Sequence, residues 1–167
     1  MSDYWPMDDR YIEKIKKRKN VVMKEFPVAG VSRHQDLFPK NGFLNDDYFL
    51  PDNQLMEKGI RQYSIPKYGF DNLDLSIEHD LYNKYDPNAI KVFLGGEHVG
   101  FIRAEDAEYV LNLMFIDAIA DVDGRIVGGP AKQYNPEKGR IEEVDYNFGI
   151  RLYLFIRKDW AVNTYSV

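Results

Sequence analysis

The amino-acid sequence predicts a mostly β chain of the β-rich α+β class, and three observations carry that reading. Tyrosine and phenylalanine are abundant, at 12 and 10 residues, and aromatic side chains suit the pleated, half-buried surface of a sheet. Several short segments alternate apolar and polar residues with period two, the pattern of strands with one buried face. Ala104 to Phe115 instead repeats apolar residues at three- and four-residue steps, as an amphipathic helix does. About six short antiparallel strands with one or two helices fit a small barrel, which removes exposed edges by closing on itself.

Along the chain, Tyr11 to Lys19 sets Ile12 and Ile15 at helical spacing ahead of a basic cluster, read as a short helix or solvated tail. Val21 to Val31 reads as a strand interrupted at Pro27, with a bulge or close backbone approach at Gly30. Gln35 to Asn72 is aperiodic and rich in Pro, Gly, Asn and Asp. Its many aromatics, among them Phe38, Tyr48 and Phe70, mark a packed excursion over the core, because disordered segments are poor in aromatics.

Leu73, Leu75 and Ile77 then alternate with polar residues as a strand. Ala89 to Leu94, Gly95-Gly96, and Glu97 to Ile102 form a hairpin signal, since paired glycines supply the positive φ angles of a tight turn. In the helix, Ala104, Ala107, Val110, Leu111, Met114 and Phe115 form the apolar stripe, and Glu105, Asp106 and Glu108 complement the dipole at its first turn. Ile119 to Val127 is a strand closed by Gly128-Gly129-Pro130, Ala131 to Glu142 a polar loop, and Val144 to Ile156 a long closing strand.

Composition excludes several function classes. The 167 residues fit one domain, and no apolar stretch is long enough to span a membrane. Cysteine is absent, which removes disulfides, thiol nucleophiles and zinc sites built on thiolates. The first residues show neither the charged nor the hydrophobic region of a signal peptide, so a cytoplasmic location is expected. A net charge of −5 argues against a surface that attracts polyanions everywhere, though not against a local site.

The densest polar cluster is Glu78 to Asn88. Asn83, Asp86, Pro87 and Asn88 are turn formers whose side chains cap nearby amides, so the plainest reading is a strand-to-strand turn. Tyr82 and Tyr85 flank Lys84, and aromatic faces beside a cation form a stacking platform for unpaired bases. Glu78, His79, Asp80 and Asp86 could hold a divalent metal for phosphodiester hydrolysis, but strand alternation puts Glu78 and Asp80 on one face, away from His79. No phosphate-binding G-x-x-x-x-G-K-[ST] loop occurs, and GRIVGG at Gly124 to Gly129 reads as a turn at a strand end. A binding protein without cofactor or catalytic metal is expected, with a metal-dependent nuclease as the minor alternative.

The run HDLYNKYDPNAIKVFLGGEHVGFIRAEDAEYV resembles the HIRAN domain, whose pattern joins an Asn and a Tyr-Asp pair to Asn-Ala-Ile-x-Val, a turn, and a Val-Gly-aromatic step opening a helix. VAGVS at Val28 to Ser32 resembles the family's first strand. The likeness runs from Val21 to about Val127, with Gln35 to Asn72 as an insertion. It implies a modified OB-like barrel over 21–160, an N-terminal extension over 1–20 and a C-terminal tail over 161–167.

It also implies single-stranded DNA as partner, with capture of a free 3′ end in DNA repair or replication-related processes. By resemblance, Tyr85 stacks on a base, Asp86 accepts from the terminal 3′-hydroxyl and Asn83 supports them; Ser32, Arg33, Phe101 and Arg103 complete the DNA-binding set. The chain departs from the family pattern at Ser32-Arg33-His34, where relatives carry an aromatic, and in having only Arg103 as a basic residue opening the helix. Relatives are often fused to helicase or nuclease domains, so a separately encoded helicase or nuclease is an expected partner. The alternative is a protein-interaction module on the same barrel that has lost nucleic-acid binding, with the 35–72 excursion as its interface and a homodimer as one outcome.

Overall fold

A computed structural model describes residues 9–158; the tail at 161–167 and residues 1–8 of the extension lie outside the described residues. The elements run α1 (Asp9–Lys17), β1 (Val21–Ala29), α2 (Leu37–Lys40), β2 (Phe43–Leu44), α3 (Asp52–Glu57), β3 (Ile65–Pro66), β4 (Tyr68–Gly69), β5 (Leu75–His79), β6 (Ile90–Leu94), β7 (Glu97–Ile102), α4 (Ala104–Phe115), β8 (Ile119–Asn135) and β9 (Arg140–Arg157). Short 3₁₀ turns occupy Val31–Arg33 and Asp46–Phe49. The class is β-rich α+β: seven strands form one antiparallel sheet in the order β3-β8-β9-β1-β7-β6-β5, and β2 pairs with β4 separately.

The strand β1 joins the two halves of this sheet. From Val21 to Pro27 it pairs with β9, and at Val28 and Ala29 it pairs with β7. Pro27 sits where the partner changes and has no amide hydrogen to lose, so the strand runs through the proline instead of breaking at it. The hairpin β6–β7 turns at Gly95 and Gly96, with φ of +60° and +81°. Gly100 is required for a different reason: a Cβ there would lie 2.4 Å from the Ala29 carbonyl oxygen, so only glycine lets β1 and β7 close up.

One face of the curved sheet is buried against α4. Leu75, Ile90, Val92, Leu94, Val99 and Ile102 meet Val110, Leu111 and Leu113 of the helix, and Ile150, Leu152, Leu154 and Ile156 of β9 complete the core. Phe38 of the excursion is fully buried and stacks on Phe148 with ring centroids 4.9 Å apart. Gln35 ties the same region to β9: its amide donates to the carbonyls of Val31 and Phe148 and its oxygen accepts from the Phe148 amide at 2.7 Å. A smaller cluster of Tyr48, Leu55, Ile60 and Ile65 gives the excursion its own core.

Several expectations are corrected. The sheet does not close into a barrel: β3 and β5 are its edges, and β5 meets β8 only through side chains, Leu75 facing Gly124. Strands and helices outnumber the expected six and two because the excursion contributes pieces two to six residues long, too short for any periodicity to show. Gly128-Gly129-Pro130 is a bulge and not a strand end, and most of the expected loop at Ala131 to Glu142 is hairpin, with Ala131 paired to Val144 and Asn135 to Arg140. The basic cluster is not wholly solvated either. Arg18 bonds the carboxylates of Asp121 and Asp123 on β8 and lies over the Phe155 ring at 4.2 Å, covering the second face of β9.

Truncating Phe38 removes a fully buried ring that stacks on Phe148. Phe38→Ala is expected to lower the unfolding free energy by about 3–5 kcal/mol in urea titrations, and Phe49→Ala, at an exposed ring of the same excursion, by no more than about 0.5 kcal/mol.

Candidate nucleic-acid interface

The connection from β5 to β6 is built by side chains that replace missing backbone bonds. Asn83 Oδ1 accepts from the amides of Tyr85 and Asp86, both at 2.9 Å, and Asn83 Nδ2 donates to Asp80 at 3.1 Å. Asp86 Oδ1 accepts from the Asn88 amide at 2.9 Å, and the Asp86 carbonyl accepts from Ala89. The Asp80 amide donates to the Ala89 carbonyl, closing the base of the loop. His79 Nε2 donates to the Pro87 carbonyl at 2.8 Å, which fixes that nitrogen as the protonated one. The turn reading is therefore correct, and the turn is a stiff one.

What this turn presents is aromatic. Tyr85 is 98% exposed and Tyr82 91%, with Leu81 also open and Lys84 exposed between the two rings. Asp86 is half-buried, with one carboxylate oxygen engaged by Asn88 and the other without a hydrogen bond among the described residues. A shallow cleft of about 120 Å³ opens beside Tyr82, lined by Glu78, His79, Asp80, Leu81 and Lys91. Lys91 lies 3.8 Å from Asp80, so one cation is held at its wall.

The outer face of the β5–β6–β7 half-sheet continues this surface. Cross-strand register sets Glu78 opposite Lys91 and Lys91 opposite Phe101, so the three share a face. Phe101 meets the His98 ring edge-on at 4.7 Å, and His98 in turn contacts Phe93 and His34. Ser32 and Arg33 are exposed on the 3₁₀ turn that leads into His34, and Arg33 forms no ion pair among the described residues. Arg103 is different: it is bonded to Glu105 at 3.0 Å and lies 3.7 Å from Asp106, so its charge is already matched. No hydrogen bond or ring contact among the described residues joins Tyr85 or Asp86 to Ser32, Arg33, Phe101 or Arg103.

A family model of the HIRAN domain matches residues 25–153. The chain belongs to the HIRAN domain family. No curated protein and no solved structure matches it. The HIRAN domain is a nucleic-acid-binding module, so the exposed rings and free cations lie on a domain whose business is nucleic acid. The match spans the β1–β7 junction, the tyrosine loop, β8 and most of β9, and the glycine of the Val99-Gly100-Phe101 step is explained by the close approach of β1.

Two surface features of this HIRAN domain escape sequence reading. The helical period assigns Phe115 to the buried stripe, yet the ring is 70% exposed because α4 ends there; it meets His79 edge-on at 6.0 Å, beside the tyrosine loop. His98 reads as a plain hairpin residue, and only the sheet brings it against Phe101 and His34. Among the described residues no group of three His, Asp or Glu side chains gathers as a metal site.

Asn83→Ala is expected to speed hydrogen exchange at the Tyr85 and Asp86 amides about fivefold, as the loss of about 1 kcal/mol per bond implies, while exchange in β9 stays unchanged. Burial holds His98 below its ordinary value of 6.5, with Lys91 and His34 acting in the same direction against the Gly100 carbonyl and Asp80. The unfolded chain thus takes up this proton more readily, so stability is complete above 6.5 and falls as pH drops below it. Urea midpoints at about pH 7.5 and about pH 5.5 should converge in His98→Gln relative to the parent.

Proposed function

We propose that this HIRAN domain binds single-stranded DNA and captures a free 3′-hydroxyl end at the Asn83–Asn88 turn, as a non-catalytic module. The observation that carries the reading is the pair Tyr82 and Tyr85, turned fully outward on a turn made stiff by Asn83 and Asp86. Large rings held in water by an ordered backbone gain apolar contact only when something stacks on them, and bases are flat, apolar on both faces and sequence-tolerant as partners. The uncommitted oxygen of Asp86 accepts a hydroxyl hydrogen and repels a terminal phosphate, which makes the site selective for one kind of end. Lys84 and Arg33 supply phosphate contacts on a chain that is otherwise acidic. A helicase or nuclease on a separate chain, acting in repair or replication in the cytoplasm, fits a module that holds an end without cutting it.

A second reading, a protein-interaction module, is favoured by the exposed Phe43, Leu44, Phe49 and Tyr63 of the excursion. Salt separates the two, because phosphate contacts weaken steeply with added salt and apolar ones do not.

Fluorescence anisotropy with labelled oligonucleotides ending in a 3′-hydroxyl or a 3′-phosphate tests the proposal. The hydroxyl end should bind more tightly, Asp86→Ala should erase that preference, and Tyr85→Ala should weaken both by about 1–3 kcal/mol. Equal binding by the parent and both variants would overturn the site, and absence of binding at low salt would favour the protein-interaction reading.

A further inference from the structure

We infer that a basic groove beside α1 is a second contact surface for the same DNA strand, holding its sugar-phosphate backbone on the 5′ side of the captured end; this rests on the single-stranded DNA reading. The groove is a depression of about 240 Å³ lined by Lys16, Lys17, Lys19, Asn20, Ala120 and Arg157. Four cations meet there on a chain whose net charge is −5.

The nearby acids match two of the four, Lys17 and Arg157, and leave Lys16 and Lys19 uncompensated. Asp121 and Asp123 are taken up by Arg18, Asp117 lies 3.4 Å from Arg157, and Glu13 lies 3.8 Å from Lys17. Lys16 and Lys19 form no ion pair among the described residues. Complementing the dipole of α1 accounts for lysines in its last turn, Lys16 and Lys17 included. It does not account for Lys19, which lies past the helix end, or for Arg157, which arrives from the far end of β9.

The groove is joined to the tyrosine loop by exposed surface. Phe115 packs on His79 at the base of that loop, and the exposed Ile116 follows it. Asp117 then bonds Arg157, the Arg157 amide donates to the Ala118 carbonyl at 2.9 Å, and the Lys158 amide donates to the Asn20 carbonyl at 3.0 Å. A strand whose 3′ end lies on Tyr85 and Asp86 can thus stack a further base on Phe115 and lay its phosphates over Lys16 and Lys19. Occupancy of this kind lies within the roughly 4–16 nucleotides that small single-strand-binding folds cover.

The test is anisotropy on the full chain with 3′-hydroxyl oligonucleotides of about 4 and about 12 nucleotides. Lys16 and Lys19 are exposed and unpaired, so the double variant Lys16→Ala/Lys19→Ala leaves the fold intact. It should bind the long oligonucleotide about five- to tenfold more weakly at low salt, lower the logarithmic salt slope by about 1.4, and bind the short one as the parent does. A control with the same change in net charge, Lys40→Ala/Lys58→Ala on the excursion, should leave both oligonucleotides unaffected. Unchanged long-oligonucleotide binding in Lys16→Ala/Lys19→Ala, or equal loss in the control, overturns the groove while leaving the tyrosine loop standing. Failure of the parent to bind either oligonucleotide overturns the end-binding reading and the groove with it.

Discussion

The structure depends on how β1 shares its hydrogen bonds. Its first seven residues complete the β8–β9 hairpin, and its last two hold β7, so a single nine-residue strand decides how the two halves of the sheet face each other. Three local choices make the transfer possible. Pro27 gives up no hydrogen bond at the point of change, Gly100 lets the neighbouring backbone come close, and Phe26 buries its ring beneath the junction. The surface that presents Lys91, His98 and Phe101 has its orientation only because this junction holds.

The candidate interface divides its work between two kinds of support. The half-sheet β5–β6–β7 is stiff through cross-strand pairing, and it places Phe101, His98 and Lys91 by register alone. The tyrosine loop has no ladder, so its order comes from Asn83 and Asp86, each accepting amides that a strand or helix would otherwise have satisfied. This explains how rings as exposed as Tyr82 and Tyr85 sit on a defined backbone. Asn83 and one oxygen of Asp86 serve the loop's own backbone, while the rings and the other oxygen face solvent.

Charge is distributed with the same economy. Arg18, Arg103 and Arg151 each meet a carboxylate, whereas Arg33, Lys16 and Lys19 meet none among the described residues. A negative chain that leaves particular cations unmatched attracts anions at chosen places and repels them elsewhere, so specificity of placement does not require a basic protein.

Much of this was legible in the residues. The Gly95-Gly96 hairpin, the helix over Ala104–Phe115, the packed nature of the 35–72 excursion and the HIRAN likeness through YDPNAIKV and HVGFI all rest on local chemistry: turn angles, helical period, aromatic content and motif spacing. The length of β8 through Gly128-Gly129, the open edge at β5 and the pairing of Arg18 with two aspartates were not legible, because each depends on a partner far along the chain. The same division holds at the site. By itself the sequence determined which residues cap the turn and which rings it carries, since Asx capping acts over two or three positions. The tertiary structure decided that Phe115 faces outward beside that turn, that His98 leans on Phe101, and that Lys19 and Arg157 line one groove, because only folding brings together groups that neither spacing nor period connects.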